Sequence, residues 1–226
     1  VGELVSKPYV EMTLKLMKEF GIESSWVDNI IRIQSQNYIA KDYKVEADWS
    51  AASFWFEIAS LSKKCDIKLK ELSENSLQGD KNLMGLYEKL GVHSYFENET
   101  LHLVKKKSSA TPEYIDLIDN PDLYQPIKCT LFGLGKSSKF TGLITLKDKE
   151  TDRIKSVDEE ILKLESTKII DSHKDHRMAM SFTPLCLKFG ELQINDIEVV
   201  QKSYPDFWKD IEKGGFKITP LIQTNN

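Results

Sequence analysis

One pattern that occurs twice constrains this chain more than any other feature. Met12 to Ile22 (MTLKLMKEFGI) and Asn82 to Val92 (NLMGLYEKLGV) both place apolar residues at helical spacing and run into glycine, Gly21 and Gly91, 70 residues apart. Glycine just past the last periodic residue stops a helix, because the left-handed conformation found there costs glycine little. Each copy continues through a polar or aromatic turn into a strand, Trp26 to Ile33 and Tyr95 to Val104. Leu101 and Leu103 alternate with His102, as in a half-buried strand. The period is too long for a solenoid and marks a helix-strand-strand unit recurring in a larger α/β design.

Further helices are expected at Ser50 to Leu61, Ser156 to Leu164, Met178 to Phe189 and Pro205 to Lys213. Short strands are expected at Ile67 to Leu72, Phe140 to Leu146, Ile194 to Val200 and Phe216 to Leu221. Helices alternating with strands make the class α/β or mixed α+β. Boundaries are expected in the polar stretch Ala40 to Asp48 and in the Lys105 to Pro112 loop.

At 226 residues, 40% apolar and 29% charged, the chain can build a buried core and is not disordered. Thirty-one Lys+Arg against 35 Asp+Glu leave a net charge of −4, which disfavours a nonspecific nucleic-acid binder. No apolar run approaches the ~18 residues of a membrane span, and charges in the first turns argue against a secretory signal. Cys65, Cys129 and Cys186 are too scattered for a disulfide ladder or a zinc spacing, which suits a reducing cytoplasm. The chain opens on Val1 directly into a patterned segment, as a piece of a longer protein would.

Four polar clusters sit at helix starts, where free N–H groups and the helix dipole favour anions. Ser6-Lys7-Pro8-Tyr9 reads as a capped helix start with Ser6 as the cap; alternatively, the Ser6 hydroxyl and Tyr9 phenol meet a ligand's oxygens. Lys149-Glu150-Thr151-Asp152-Arg153 is either a solvated face or a clamp, with Lys149 and Arg153 sharing one side of a helical turn and Glu150 beside them as acid or base. Lys174-Asp175-His176-Arg177 opens an apolar helix, where a cation opposes the dipole and an anionic ligand would remove the conflict. His173-x-x-His176 is a weak metal signal. Lys202-Ser203-Tyr204-Pro205 precedes the last helix, with Lys202 either a surface lysine or a fourth cation.

Taken in order, SKPY, KETDR, DHRMAM and KSYPDF resemble the C-terminal half of the 5-enolpyruvylshikimate-3-phosphate (EPSP) synthase family. Val45-Glu46-Ala47-Asp48 with Ser50 and Ser53, the NSLQGD loop and Asn120-Pro121-Asp122 agree, so the resemblance spans nearly the whole chain. It implies the enolpyruvyl transferase fold, two lobes of repeated helix-and-strand units with the site between them. Residues 1–46 would be the last unit of the first lobe and 47–226 most of the second. It implies transfer of the carboxyvinyl group of phosphoenolpyruvate to the 5-hydroxyl of shikimate-3-phosphate, within aromatic amino acid biosynthesis, by a cytoplasmic monomer using no metal or cofactor. No nucleic-acid or membrane partner is expected. By motif, Ser6, Tyr9, Asp122, Thr145 and Lys149 would bind shikimate-3-phosphate, and Arg153, Arg177 and Lys202 phosphoenolpyruvate. Asp122 would accept a proton and Glu150 would transfer one, although the sequence leaves open which carboxylate serves which step.

Two departures stand out. Thr145 replaces an asparagine common in the family. Arg153 and Arg177 lie only 24 residues apart, lacking most of a strand hairpin that relatives carry, so their spacing in space is expected to suffer. The family's remaining substrate-binding residues lie upstream of Val1, so this chain alone is expected not to turn over. An enolpyruvyl transferase with another acceptor alcohol and a noncatalytic anion-binding relative are the competing readings.

Overall fold

The computed structural model describes residues 4–220. Its centre is three helices, α2 (Trp49–Leu61), α4 (Tyr124–Gly133) and α6 (His176–Phe182), whose residues are nearly all buried. A Cβ added to Gly133 would meet Leu61 Cδ2 at 2.7 Å and Leu185 Cδ2 at 3.1 Å, so these helices share one layer at their C-terminal ends. At the other end Arg177 shares a small hollow with Ala51 and Phe54 and bonds to Asp122. The three helices therefore run side by side in the same direction, with their positive ends gathered on one side.

Around them lie an antiparallel sheet and two parallel pairs. Strands β3 (Asp66–Lys70), β5 (Thr100–Lys105) and β4 (Val92–Glu97) pair in that order. Strand β6 (Tyr114–Asp116) pairs in parallel with β7 (Lys139–Thr141) across α4, and β8 (Ile169–Ile170) with β9 (Gln193–Ile194) across α6. A parallel pair needs a crossover, and the buried helices supply it. Outer helices α3 (Leu83–Lys89), α5 (Arg153–Thr167) and α8 (Phe207–Lys213), with the short α7 (Cys186–Phe189), complete this part. Residues 4–46 add α1 (Lys7–Glu19) and the hairpin of β1 (Ser24–Val27) and β2 (Ile30–Ile33).

Both expected repeats are present, and Gly21 and Gly91 adopt φ +86° and +93°. The strand-strand part of the expected unit is a hairpin in each copy, and the stretches read as single strands, Trp26 to Ile33 and Tyr95 to Val104, fold back at Asp28-Asn29 and Asn98-Glu99. Asp28, Asn98 and Glu99 take positive φ, which two-residue hairpin turns demand, but no Asn-Gly advertised the turn. The expected strand Phe140 to Leu146 ends at Thr141, because Gly142 at φ +73° lies so close to the Ile118 backbone that a Cβ would come within 2.1 Å of its nitrogen. A 3-10 turn, Ile144–Asp148, follows. Likewise Ile194 to Val200 is strand only at Ile194; Asp196 turns left-handed (φ 51°) into a 3-10 segment, Ile197–Lys202. Residues 216–220 are not strand, and Leu221 lies outside the described residues. The helix expected from Met178 to Phe189 breaks at Thr183–Leu185, where Pro184 falls. Ala40 to Asp48 and residues 106–112 carry neither helix nor strand.

Candidate active site

The site forms where α4, α5 and α6 begin. Pro121–Leu123 makes a 3-10 turn leading into α4 and carries Asp122. Asp152 caps α5 by accepting from the Lys155 N–H, which sets Arg153 at the first helical position. Asp175 caps α6 by accepting from the Arg177 N–H at 2.8 Å. That cap, absent from the sequence reading, offsets part of the conflict between Arg177 and the helix dipole.

Three cations meet the Asp122 carboxylate. Lys149 Nζ lies 3.2 Å and Arg153 Nη1 2.7 Å from its Oδ1, while Arg177 Nη2 lies 3.4 Å from Oδ2 and Arg177 Nη1 donates to the Asp122 carbonyl at 3.1 Å. Glu150 extends the cluster, accepting from Arg153 Nη2 at 2.8 Å and from Lys202 Nζ. Arg153 is 2% exposed and also donates through Nε to Asp175 at 2.7 Å. It is the hub, holding three carboxylates from three separate segments.

Burial opposes ionisation of Asp122, but Arg177, Arg153 and Lys149 outweigh it and hold the carboxyl below its ordinary value. At Glu150 burial is likewise outweighed, by the Lys202 hydrogen bond, a backbone hydrogen bond and Arg153, bringing it down to about 2. Both are therefore ionised at neutral pH. His176 stands with Nδ1 3.8 Å from Glu150; burial and then Arg177 lower its pKa, so the ring is neutral at pH 7.

A second group adjoins the first. Tyr9 donates its hydroxyl to Asp80 Oδ1 at 3.0 Å, an oxygen that Asn120 also reaches at 2.9 Å, and Ser50 donates to Oδ2. Burial first, then the negative charges of Asp80 and Asp122, raise the Tyr9 phenol far above its ordinary value, so it stays a donor. Gly79 permits this approach of α1, since a Cβ there would collide with Pro8 at 2.4 Å.

The structure thus brings together Tyr9, Asp122, Lys149, Glu150, Arg153, Arg177 and Lys202. Several details differ from the sequence reading. Lys149 and Arg153 share no helical turn, because Lys149 is extended (φ −94°, ψ −156°); they meet only through Asp122. Ser6 is not a side-chain cap: it is left-handed (φ 55°), and its N–H instead ties α1 to the Ile118 carbonyl at 2.8 Å. The Thr145 hydroxyl is enclosed without a hydrogen-bond partner and joins no group of the cluster. The short segment between Arg153 and Arg177 does not part them, since both reach Asp122. His173 and His176 face different carboxylates, Glu160 and Glu150, and no group of three or more metal-binding side chains occurs among the described residues.

Asp80, Asp175 and His176 were not singled out as site residues. Their only local signal was a place within NSLQGD and DHR, since their partners come from distant segments. A hollow of about 160 Å³ between Lys128, Phe132, Lys136 and Phe140 is mostly apolar and includes none of these groups. Among the described residues, no helix is long and apolar enough to cross a membrane.

A family model described as EPSP synthase (3-phosphoshikimate 1-carboxyvinyltransferase) matches residues 1–211. The 3-phosphoshikimate 1-carboxyvinyltransferase of Bacteroides fragilis is 38% identical, covering 96% of this chain and 58% of that relative. Its counterpart in Syntrophobacter fumaroxidans is 33% identical, covering 93% and 54%. The solved EPSP synthase of Acinetobacter baumannii shares the fold with a TM-score of 0.70 at 20% identity, over 89% of this chain and 53% of that one. The chain thus spans little more than half the length of its relatives. With the family model matching nearly its whole length and four ordered motifs converging on one cluster, this chain belongs to the EPSP synthase family.

Proposed function

We propose that this chain is the C-terminal portion of an enzyme that transfers the carboxyvinyl group of phosphoenolpyruvate to the 5-hydroxyl of shikimate-3-phosphate and releases phosphate, in the cytoplasm. The observation that carries this reading is the meeting of Lys149, Arg153 and Arg177 on one carboxylate, with Glu150 joining Arg153 to Lys202. Two polyanionic substrates repel each other, and a preorganised cation cluster offsets that repulsion before any bond forms.

In the reaction, the acceptor oxygen adds to the central carbon of phosphoenolpyruvate while a proton adds to its methylene carbon. Phosphate then leaves as a methyl proton departs and the double bond re-forms. Asp122 would accept the proton of the acceptor hydroxyl, and Glu150 would move the proton at the methylene carbon. In the resting state both carboxylates are poor bases, because the cations that would hold substrate are paired with them. An incoming phosphate or carboxylate would draw those cations away and raise the basicity of both. Arg177, 11% exposed at its side chain, and Lys202, 61% exposed, would contact phosphoenolpyruvate directly. Arg153, with its donors committed, would add charge from behind. Ser6, Tyr9 and Lys149 would flank shikimate-3-phosphate, with Tyr9 held by Asp80, while the enclosed Thr145 hydroxyl would not reach it.

The division into residues 1–46 and 47–226 belongs to the same reading. Helix α1 buries no residue completely, and Val27, Ile30, Ile31 and Ile33 are exposed, as expected of a unit packing against the N-terminal portion that relatives carry. The completed protein, this chain joined to that portion, would be a monomer. In it, Arg177→Ala should lose phosphoenolpyruvate affinity while shikimate-3-phosphate still binds. Wild-type kinetics in that variant, or phosphate release at a normal rate by the isolated 226 residues, would remove the reading.

A further inference from the structure

The segment between Arg153 and Arg177 is fastened to α5 at two places. One is the Arg153–Asp175 ion pair inside the cluster. The other lies two helical turns further along α5, at Glu160. Its side chain is fully buried, on the same stripe as Arg153, Val157 and Leu164. A carboxylate there needs partners, and Glu160 has three. Its Oε1 meets His173 Nε2 at 2.7 Å and Lys163 Nζ at 2.6 Å, and its Oε2 accepts the Asp171 N–H at 3.1 Å.

Two of those partners belong to the loop that leads to Arg177. Within it, His173 and Lys174 take φ +50° and +58°, conformations that side-chain-bearing residues adopt at a cost and that surrounding contacts must maintain. Asp171 Oδ1 accepts the His173 N–H at 2.7 Å, and the Ser172 carbonyl accepts the Asp175 N–H at 2.9 Å. The chain of contacts then reaches the Asp175 cap and the Arg177 N–H. Glu160 holds the start of the loop and Arg153 its end, and the segment is too short for a hairpin to hold it instead.

We infer that Glu160 is a positioning residue: through His173 and Asp171 it sets where Arg177 stands relative to Arg153, and so the affinity for the anionic donor. The inference rests on the proposed function and adds a residue that touches no substrate.

The test uses the completed protein with Glu160→Ala, Glu160→Gln, His173→Ala and, as control, Arg177→Ala. Glu160→Ala should raise KM for phosphoenolpyruvate about tenfold, the factor that corresponds to roughly 1.4 kcal/mol. It should change kcat and the shikimate-3-phosphate Kd less than about twofold. Glu160→Gln, which keeps an acceptor for the Asp171 N–H, should recover part of the loss. His173→Ala leaves Glu160 paired with Lys163 and should shift the same KM in the same direction, so it carries the test if Glu160→Ala does not fold. An unchanged phosphoenolpyruvate KM in folded Glu160→Ala or His173→Ala, or equal losses for both substrates, would overturn the inference while Arg177→Ala still loses donor affinity. If Arg177→Ala loses nothing, the proposed function itself has failed.

Discussion

Replacing Glu57 with glutamine should stabilise the fold at neutral pH, and the gain should disappear in acid. Glu57 lies in the middle of α2 with no exposure, and neither carboxyl oxygen has a hydrogen-bond partner. It sits one turn before Leu61, as Cys129 and Ser181 sit one turn before Gly133 and Leu185, so the three occupy one interior layer. Tyr87 is the other titratable group beside it, and no cation is among its neighbours that shift it. Burial therefore pushes the carboxyl well above its ordinary 4.5. The sign follows from proton counting. Above 4.5 the unfolded chain has lost this proton while the folded chain keeps it, so stability falls as pH rises until the folded group titrates too. Each pH unit in that window costs about 1.4 kcal/mol. Glutamine has no proton to lose, and below 4.5 both forms are neutral. Urea unfolding at half-unit steps from pH 4 to 8 should show the variant level with the parent at the acid end. Its advantage should then grow by about 1.4 kcal/mol per unit, and each kcal/mol should raise Tm by roughly 2–4 °C. A destabilised variant at pH 7, or a difference that ignores pH, would mean that Glu57 is ionised and paired, and the reasoning would be wrong.

Other outcomes follow from the cluster. Arg153→Ala strands three carboxylates, one of them wholly buried, and should cost about 3–5 kcal/mol in urea unfolding; Arg153→Lys should recover little, because an ammonium cannot span three partners. Asp122→Asn frees Lys149, Arg153 and Arg177 from their shared counter-charge, so phosphoenolpyruvate should bind more tightly by calorimetry while turnover falls about 10²–10⁴-fold. Glu150, held down to about 2, stabilises the fold fully above 4.5, and that contribution fades as pH falls toward 2. Glu150→Gln should therefore weaken the acid dependence of unfolding in that range.

How much of this was legible beforehand depends on the reach of each interaction. Gly21 and Gly91 announced their helix stops because a left-handed C-terminus is a local demand. The hairpin turn at Asn98-Glu99 was missed, since Glu99 is a poor marker for positive φ and the two strands pair regardless. Ser6 has the chemistry of a cap but not its conformation, because the chain is drawn to Ile118 instead. The convergence of Lys149, Arg153, Arg177 and Lys202 entered through the ordered motifs; local spacing gave the wrong geometry for the first pair. Asp80, Asp175 and Glu160 stayed hidden for a physical reason. Each acts through partners brought to it only by folding, Tyr9 across 71 residues in the first case and Arg153 across 22 in the second.

The most direct measurement is a crystal structure of the completed protein with phosphoenolpyruvate and shikimate-3-phosphate bound. The Arg177 guanidinium and the Lys202 ammonium should each lie about 2.7–2.9 Å from oxygens of a single phosphoenolpyruvate, with Asp122 facing the acceptor hydroxyl. Donor density elsewhere, with those two cations still paired to Asp122 and Glu150, would contradict the account.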